Sequence, residues 1–431
     1  MDPMLDPHAD VLVGLEQQRK RIPSTDPVVG ACWEFEIESR IDPRFSLLGT
    51  KSSGGLYVLF KDSEEWKSGS KRASYHAVGS PGSETQDSLI VYELLKDQHE
   101  RIGLIFKSFV LQMPSKYKMD ITINSILRER NIINRKDEFL FEAKLTTRVR
   151  LRVMHLGFVL ERKQWVFEPE DASTDINYTI DSWLKKFLDS TRGLSFGNER
   201  SFPTNSMVRF SPSASAALFH ELLGHPSETD CRCLYIEKLE EHPIENDRLQ
   251  HLSVFDDPFL AKGLGSQRFD DDGEQSQLSP LFSNSKFCGS LGTLRSSGQK
   301  DAGNNARKME FSSPSLPRGT NLVIEGGQDP VEESNTTIVI PTFSSGFVKP
   351  HSGEFQLVGS NCYLENDRGK QLIGDVLVDG EIRSILENLV SIHDDTELSG
   401  LTCGKNGQWV TIGTSAPSLS FKNLQWQTIA G

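Results

Sequence analysis

Two histidines and a glutamate stand within six residues in His220-Glu221-Leu-Leu-Gly224-His225. Imidazole nitrogens are good zinc ligands, and a carboxylate beside them can move a proton. In the commoner arrangement the two histidines are four residues apart, on one face of a helix. Here the spacing is five, which on a regular helix at ~100° per residue turns the rings about 140° apart. Both can reach one ion only if the helix breaks between them. Gly224 is a common terminator and Pro226 disfavours helical geometry at the residue before it. His220 is therefore expected on the last regular turn and His225 at a non-helical position. A catalytic zinc takes three protein ligands and keeps a place for water. Glu221 would take the proton of that water and pass it to a departing amine. The plain alternative is an ordinary amphipathic helix end.

Spacing does not identify a third ligand. Glu228 and Asp230 follow closely, and Cys231 and Cys233 would share one face of a strand. Packing in or beside the core is the expectation for those two thiols. Cys403 sits far along the chain in Thr402-Cys403-Gly404-Lys405-Asn406-Gly407-Gln408. That glycine-flanked turn would present a thiolate, with Lys405 lowering its pKa.

Several elements must position these groups. Ser211 or Ser213 can cap a helix that Ala214 to Leu223 propagates. Upstream, strands and helices mix. A short helix is expected over Val11 to Ile22, and Cys32 to Glu38 alternates as a half-buried antiparallel strand. Leu56 to Phe60 is a second strand, Gly69 to Gln86 a loop, and Ser83 with Gln86 opens a long helix to Val110. Strands resume near Met119. Arg148, Arg150 and Arg152 alternate with Val149, Leu151 and Val153 as a sheet with its polar side in water, and a helix spans Ile176 to Leu188. Beyond the motif, short alternating runs separated by turn residues predict a β-rich, barrel-like unit, with a long mobile loop over Ser283 to Asn305. The expected class is α+β. An N-terminal α/β domain with a mixed or antiparallel sheet spans residues 1–190, a connector 191–212 and the β-rich catalytic domain 213–431.

Composition excludes other classes. The chain has 431 residues, with 47 Lys+Arg against 60 Asp+Glu and a net charge of −13. An acidic surface lacks the footprint of a protein that grips nucleic-acid phosphates. No apolar run approaches the ~20 residues of a membrane helix, and the start has no signal-peptide pattern. Six cysteines are too sparse for a disulfide scaffold. A cytoplasmic protein with reduced thiols, binding neither nucleic acid nor membrane, is expected.

The run from His220 to Asp230 resembles the signature of the TldD/PmbA family of zinc metallopeptidases, on its catalytic, TldD-like side. Further segments are similar to that family: Ser253 to Pro258, Gly265 to Gly273, Ser313 to Asn321, Gly353 to Phe355, Cys362 to Asn366 and Cys403 to Gln408. The resemblance implies Zn2+ held by His220, His225 and Cys403, with Glu221 as catalytic base. Glu228 and Asp230 match acidic family positions, and a supporting role behind the ligands is inferred for them. It also implies hydrolysis of small or unfolded peptides in an enclosed chamber. The chamber would form in a homodimer or a heterodimer with a related subunit. Pro226 and Gly319-Thr320 depart from the usual family residues, and the N-terminal third matches only loosely. Two other readings are an amide hydrolase acting on a small biosynthetic intermediate and a non-catalytic, chamber-forming partner subunit. Retention of the histidine pair, Glu221 and Cys403 argues against the second.

Overall fold

The computed structural model describes residues 15–16, 19–20, 28–41, 46–62, 65–72, 86–155, 158–169, 171–191, 195–196, 206–231, 244–296, 302–326, 334–349, 352–367 and 369–429. Most of the helix expected over Val11 to Ile22, part of the loop before Gln86, and Cys233 lie outside them.

The alternating runs of the first part pair as one sheet. Strands β1 (Val28–Ile41), β2 (Ser46–Asp62), β3 (Glu65–Arg72), β4 (Lys118–Ile133), β5 (Phe139–His155) and β6 (Phe158–Phe167) run β3-β2-β1-β4-β5-β6. Every pairing is antiparallel. Helices α1 (Gln86–Gln112) and α2 (Ser173–Ser190) are covered by the apolar face of this sheet. Ile121 and Ile123 of β4, and Val149, Leu151 and Val153 of β5, pack there against Ile102, Phe106 and Phe109 of α1. Phe106 is fully buried and lies 5.5 Å from Trp165, which meets Trp183 of α2 edge-on at 5.4 Å. On the opposite face Arg150 and Arg152 are exposed, as their alternation predicts, whereas Arg148 reaches Thr411 near the far end of the chain.

The second part forms two larger sheets. One contains β9 (Ser253–Asp256), β10 (Ser279–Ser283), β11 (Lys286–Phe287), β16 (Asn321–Glu325), β22 (Glu397–Lys405) and β23 (Gln408–Ala416), in the order β11-β10-β9-β16-β23-β22. The other contains β7 (Ser195–Phe196), β8 (Met207–Phe210), β17 (Thr336–Ile340), β18 (Thr342–Val348), β19 (Glu354–Asn366), β20 (Gly369–Glu381), β21 (Leu389–Ile392), β24 (Leu419–Phe421) and β25 (Gln425–Thr428). Its main path is β21-β24-β8-β17-β19-β20-β25, with β18 beside β19 and β7 beside β20. Between the two sheets lies helix α3 (Pro212–Phe219), while α4 (Ile382–Glu387) closes one side. Residues of both sheets and of α3 share one core.

Two expectations need correction. Neither sheet closes into a barrel among the described residues. Alternation reports only that one face is buried, and two open sheets packed around a helix satisfy it as well as a closed barrel does. The Ser/Gly-rich stretch from Ser283 to Asn305 carries regular structure in its described residues, 283–296 and 302–305. It holds β11, β12 (Ser290–Gly292), a short 3-10 turn and β13 (Ala302–Asn304), with Ser290 and Leu294 buried. Acidic side chains organise it and the residues just after it from outside. Asp272 accepts from the Leu294 amide and Asp270 from that of Ala306, while Asp271 accepts from that of Lys308. Two short strands, β14 (Ala306–Arg307) and β15 (Leu316–Pro317), follow and pair with each other.

Phe106→Ala should destabilise the protein by about 3–5 kcal/mol, the usual cost of emptying a buried aromatic site. Chemical denaturation followed by tryptophan fluorescence would measure it, since Trp165 and Trp183 border the cavity.

Candidate metal centre

Helix α3 begins at Pro212, whose missing amide costs nothing at the first helical position, after an extended Ser211. The Ser211 side chain makes no cap bond; its carbonyl instead receives the Ser215 amide at 2.8 Å. Ala214, Ser215, Ala216, Leu218 and Phe219 are buried. The helix is thus enclosed on most sides rather than amphipathic. The face carrying Ala217, His220 and Glu221, at helical spacings of three and four, lines a cavity.

The helix does not break between the histidines. From His220 to Gly224 it widens into a π-turn, in which the His225 amide donates to the His220 carbonyl five residues back. His225 keeps helical dihedrals, φ −61° and ψ −44°, and starts a short 3-10 turn through Ser227. The expected non-helical position for His225 is therefore corrected. A bond between residues five apart stacks position 225 over position 220, so the odd spacing fits a wider turn. The ring centroids stand 4.5 Å apart. Gly224 contributes by having no side chain: a Cβ there would lie 2.9 Å from His220 Nδ1.

Cys403 arrives from the other sheet. It lies in β22, directly across from Val410 of β23, and not in the turn itself. The turn is Asn406-Gly407, both with positive φ (48° and 75°), the pairing that favours a tight hairpin. The Cys403 side chain is fully buried, its Sγ 3.5 Å from His225 Nε2. Ligand atoms of His220, His225 and Cys403 all lie within 4.8 Å of one another. Burial alone would push the Cys403 thiol up, but the His220 and His225 imidazoles beside it bring it down to about 5. Burial opposes charge on His225 too, yet Cys403 and Glu228 hold it up, at about 11.

Lys405 does not serve the thiol as expected. Its ammonium turns to Glu228 at 2.7 Å, to the Pro317 carbonyl at 3.1 Å and to Asp230. Glu228 is fully buried and accepts from His225 Nδ1 at 3.0 Å with the same oxygen that Lys405 reaches. Asp230 is exposed and touches the centre only through Lys405. Cys231 borders the cavity, and burial together with Glu228 pushes its thiol up to about 12, which keeps it protonated. Sequence reasoning missed one contact. Arg318, among the largest fully buried side chains, donates to the Cys403 carbonyl. The signal was the Pro317-Arg318-Gly-Thr-Asn321 run inside the family-like segment Ser313 to Asn321.

The cavity over the centre measures about 670 Å³. Its walls are β18, with Phe343 and Phe347, and β22 with Trp409 behind it. Phe347 is 48% exposed and Trp409 63%, so both rims offer aromatic surface.

The family model described as PmbA/TldA metallopeptidase C-terminal domain matches residues 203–428, the stretch that carries all of these groups. The chain belongs to the TldD/PmbA family. A metalloprotease of Methanocaldococcus jannaschii is 28% identical over 219 residues, 48% of this chain and 47% of that protein. A zinc metalloprotease TldD homolog of Saccharolobus solfataricus is 24% identical over 266 residues, 58% of this chain and 57% of that protein. The chain spans about half the length of the curated relatives it matches. Among solved structures, TldE from Thermococcus kodakarensis superposes with a TM-score of 0.70 at 14% identity, over 97% of this chain and 100% of that one. That is a likeness of fold. No described helix is long and apolar enough to cross a membrane.

Two substitutions test the geometry of the centre. Gly224→Ala should press on the His220 ring, and Glu228→Gln should loosen the hold on His225 Nδ1. Each is expected to weaken the binding of an added divalent ion at the His220, His225 and Cys403 side chains by about 10–100-fold, the scale on which changes to supporting residues commonly act. Competition with a chromophoric chelator would measure it, with circular dichroism checking that the fold persists.

Proposed function

We propose that the chain is a zinc-dependent hydrolase of peptide or amide bonds, with His220, His225 and Cys403 holding the ion. The observation that carries this is the convergence of two imidazoles and a thiolate at the base of one cleft, with Glu221 on the same helical face. The donors suit zinc: nitrogen and sulfur ligands from two elements, including His220 Nε2, which is buried with no protein hydrogen-bond partner. Bound there, zinc would supply Lewis acidity and bring the pKa of water towards neutrality. Glu221 would accept the proton of the attacking water and return it to the leaving amine. Glu228 orients the His225 ring and fixes its Nδ1 as the protonated nitrogen, leaving Nε2 free as a donor. Lys405 offsets the carboxylate charge behind the centre.

The cleft suits an extended peptide. Among the described residues β18 pairs only with β19, and β22 ends its sheet. Each leaves one edge without a strand partner, and a substrate backbone could pair along such an edge with little dependence on its side chains. Assembly as a homodimer or with a related family subunit completes this reading and would close the cleft into a chamber.

Elemental analysis of the purified protein should find one zinc per chain, and a mixed peptide library should be cleaved unless a chelator is present. Glu221→Gln should keep the metal and lose about 10²–10⁴-fold or more in rate, the range of general acid–base contributions. Cys403→Ala should lose most of the metal. Stoichiometric zinc in the Cys403→Ala protein would remove that residue from the ligand set, and no metal with no cleavage would end the hydrolase reading.

A further inference from the structure

A second recess of about 230 Å³ adjoins the metal cleft, and Trp409 lines both. The indole lies across Gly404, where a Cβ would come within 2.3 Å of Trp409 Cζ3. On the far side of this partition the lining holds Arg128, Arg130, Lys144, Arg307 and Lys308 against one carboxylate, Glu142. These cations come from β4, β5 and β14, and Lys308 lies just after β14. The recess therefore lies where the N-terminal sheet meets the catalytic sheets.

Part of this charge is neutralised locally. Arg130 pairs with Glu142 and, at 3.0 Å, with Asp271, and Arg128 stands 3.6 Å from Asp271. Lys144 and Arg307 are held differently. Lys144 Nζ donates to the carbonyls of Gly263 (3.0 Å) and Ser266 (3.3 Å). Arg307 donates to those of Gly319 (2.7 Å) and Thr411 (2.9 Å). Among the described residues neither makes an ion pair with a carboxylate within 4 Å. Neutral carbonyls orient a buried cation but leave its charge uncancelled, which is costly in a site poor in water. Burial and then the neighbouring Arg128 push Arg307 down to about 10, in spite of Asp271 and Asp256. Burial lowers Lys144 in the same way, in spite of Glu168 and Glu142.

We propose that this recess binds a compact oxyanion, a carboxylate or a phosphate group, seated against Lys144, Arg307 and Lys308. Oriented cations in a partly dry pocket are the recurring recognition device for such groups. The anion is either free in solution or carried by the peptide that enters the cleft next door, passing beside Trp409. The site does not depend on the metal reading, because it is tested by binding alone.

Isothermal titration of the full chain with inorganic phosphate, at ionic strength held with sodium chloride, should show one saturable site. Lys144→Met should weaken it about tenfold, the scale of one charge-assisted hydrogen bond, whereas Lys144→Arg should retain most of the affinity. Lys308→Met serves the same purpose if Lys144→Met does not fold. Two peptides that differ only in a free or an amidated C-terminus, offered to the Glu221→Gln protein, separate the sources. Displacement of phosphate by the acid alone assigns the anion to the substrate, and displacement by neither assigns it to solution. Phosphate that never saturates, or that binds equally well to Lys144→Met and Lys308→Met, overturns the proposal.

Discussion

The backbone hydrogen bond from the His225 amide to the His220 carbonyl is the constraint on which the centre rests. Five residues earlier the ladder is still α-helical, since the His220 amide donates to the Ala216 and Ala217 carbonyls. Widening by one residue changes what a spacing of five means. Continued as an α-helix, the chain would turn the second ring away from the first, whereas the π-turn brings it back above. Such turns are rare because their hydrogen bonds are poorer, and they gather at functional sites. Here the cost is offset by burial: Leu222 and Leu223 lie in the core shared by both sheets. Gly224 completes the device, because any side chain there would occupy the space of the His220 imidazole.

The thiol depends on a different local rule. In β22 and β23 side chains alternate between faces, so a slip of one residue would turn Cys403 outward. The register is pinned at Lys405 opposite Gln408, across the Asn406-Gly407 turn. Cys403, Val410 and Ile412 then pack together on the inner face while Trp409 stands outside. Arg318 clasps the Cys403 carbonyl from a segment whose Thr320 and Asn321 are themselves tied to Asp256 and Asp257. Three of the scattered segments that resemble the family, Ser253 to Pro258, Ser313 to Asn321 and Cys403 to Gln408, thus meet through these contacts. Their sequence separation hides a spatial unit.

Local patterns were legible where one signal had one structural meaning. The alternation of Val149, Leu151 and Val153 named a buried face, and Ala214 to Leu223 named a helix, which is α-helical to Phe219 and widens beyond it. Patterns with two solutions were not. Alternating runs fit open sheets as well as a barrel. A glycine and a proline near His225 fit a widened turn as well as a break. The Ser283 to Asn305 stretch looked mobile because side chains that hold it, Asp272 at Leu294 and Asp256 at Asn305, belong to other segments. Lys405 was misplaced for a related reason. Its closeness to Cys403 in sequence says little about where a long side chain points, and two carboxylates and a carbonyl attract it more strongly than one thiol.

Electrostatic and steric arrangements around the cleft bear on each other. Glu228 and Asp230 place negative charge behind His225, and Lys405 answers it from the cavity wall. The open side is left to Glu221, the two imidazoles and the thiolate, between walls that are mostly backbone and aromatic surface. Strand edges without partners invite aggregation unless something blunts or covers them. In β18 the centre of the strand is Ser344-Ser345-Gly346, all exposed, which is poor packing material and suitable backbone for transient pairing. A strand edge of this kind offers main-chain hydrogen bonds that every peptide can match. Phe347 and Trp409 add exposed aromatic surface at the rims. Discrimination, where it exists, has to come from beyond the rims, and beyond Trp409 the available chemistry is the uncancelled charge of Lys144 and Arg307.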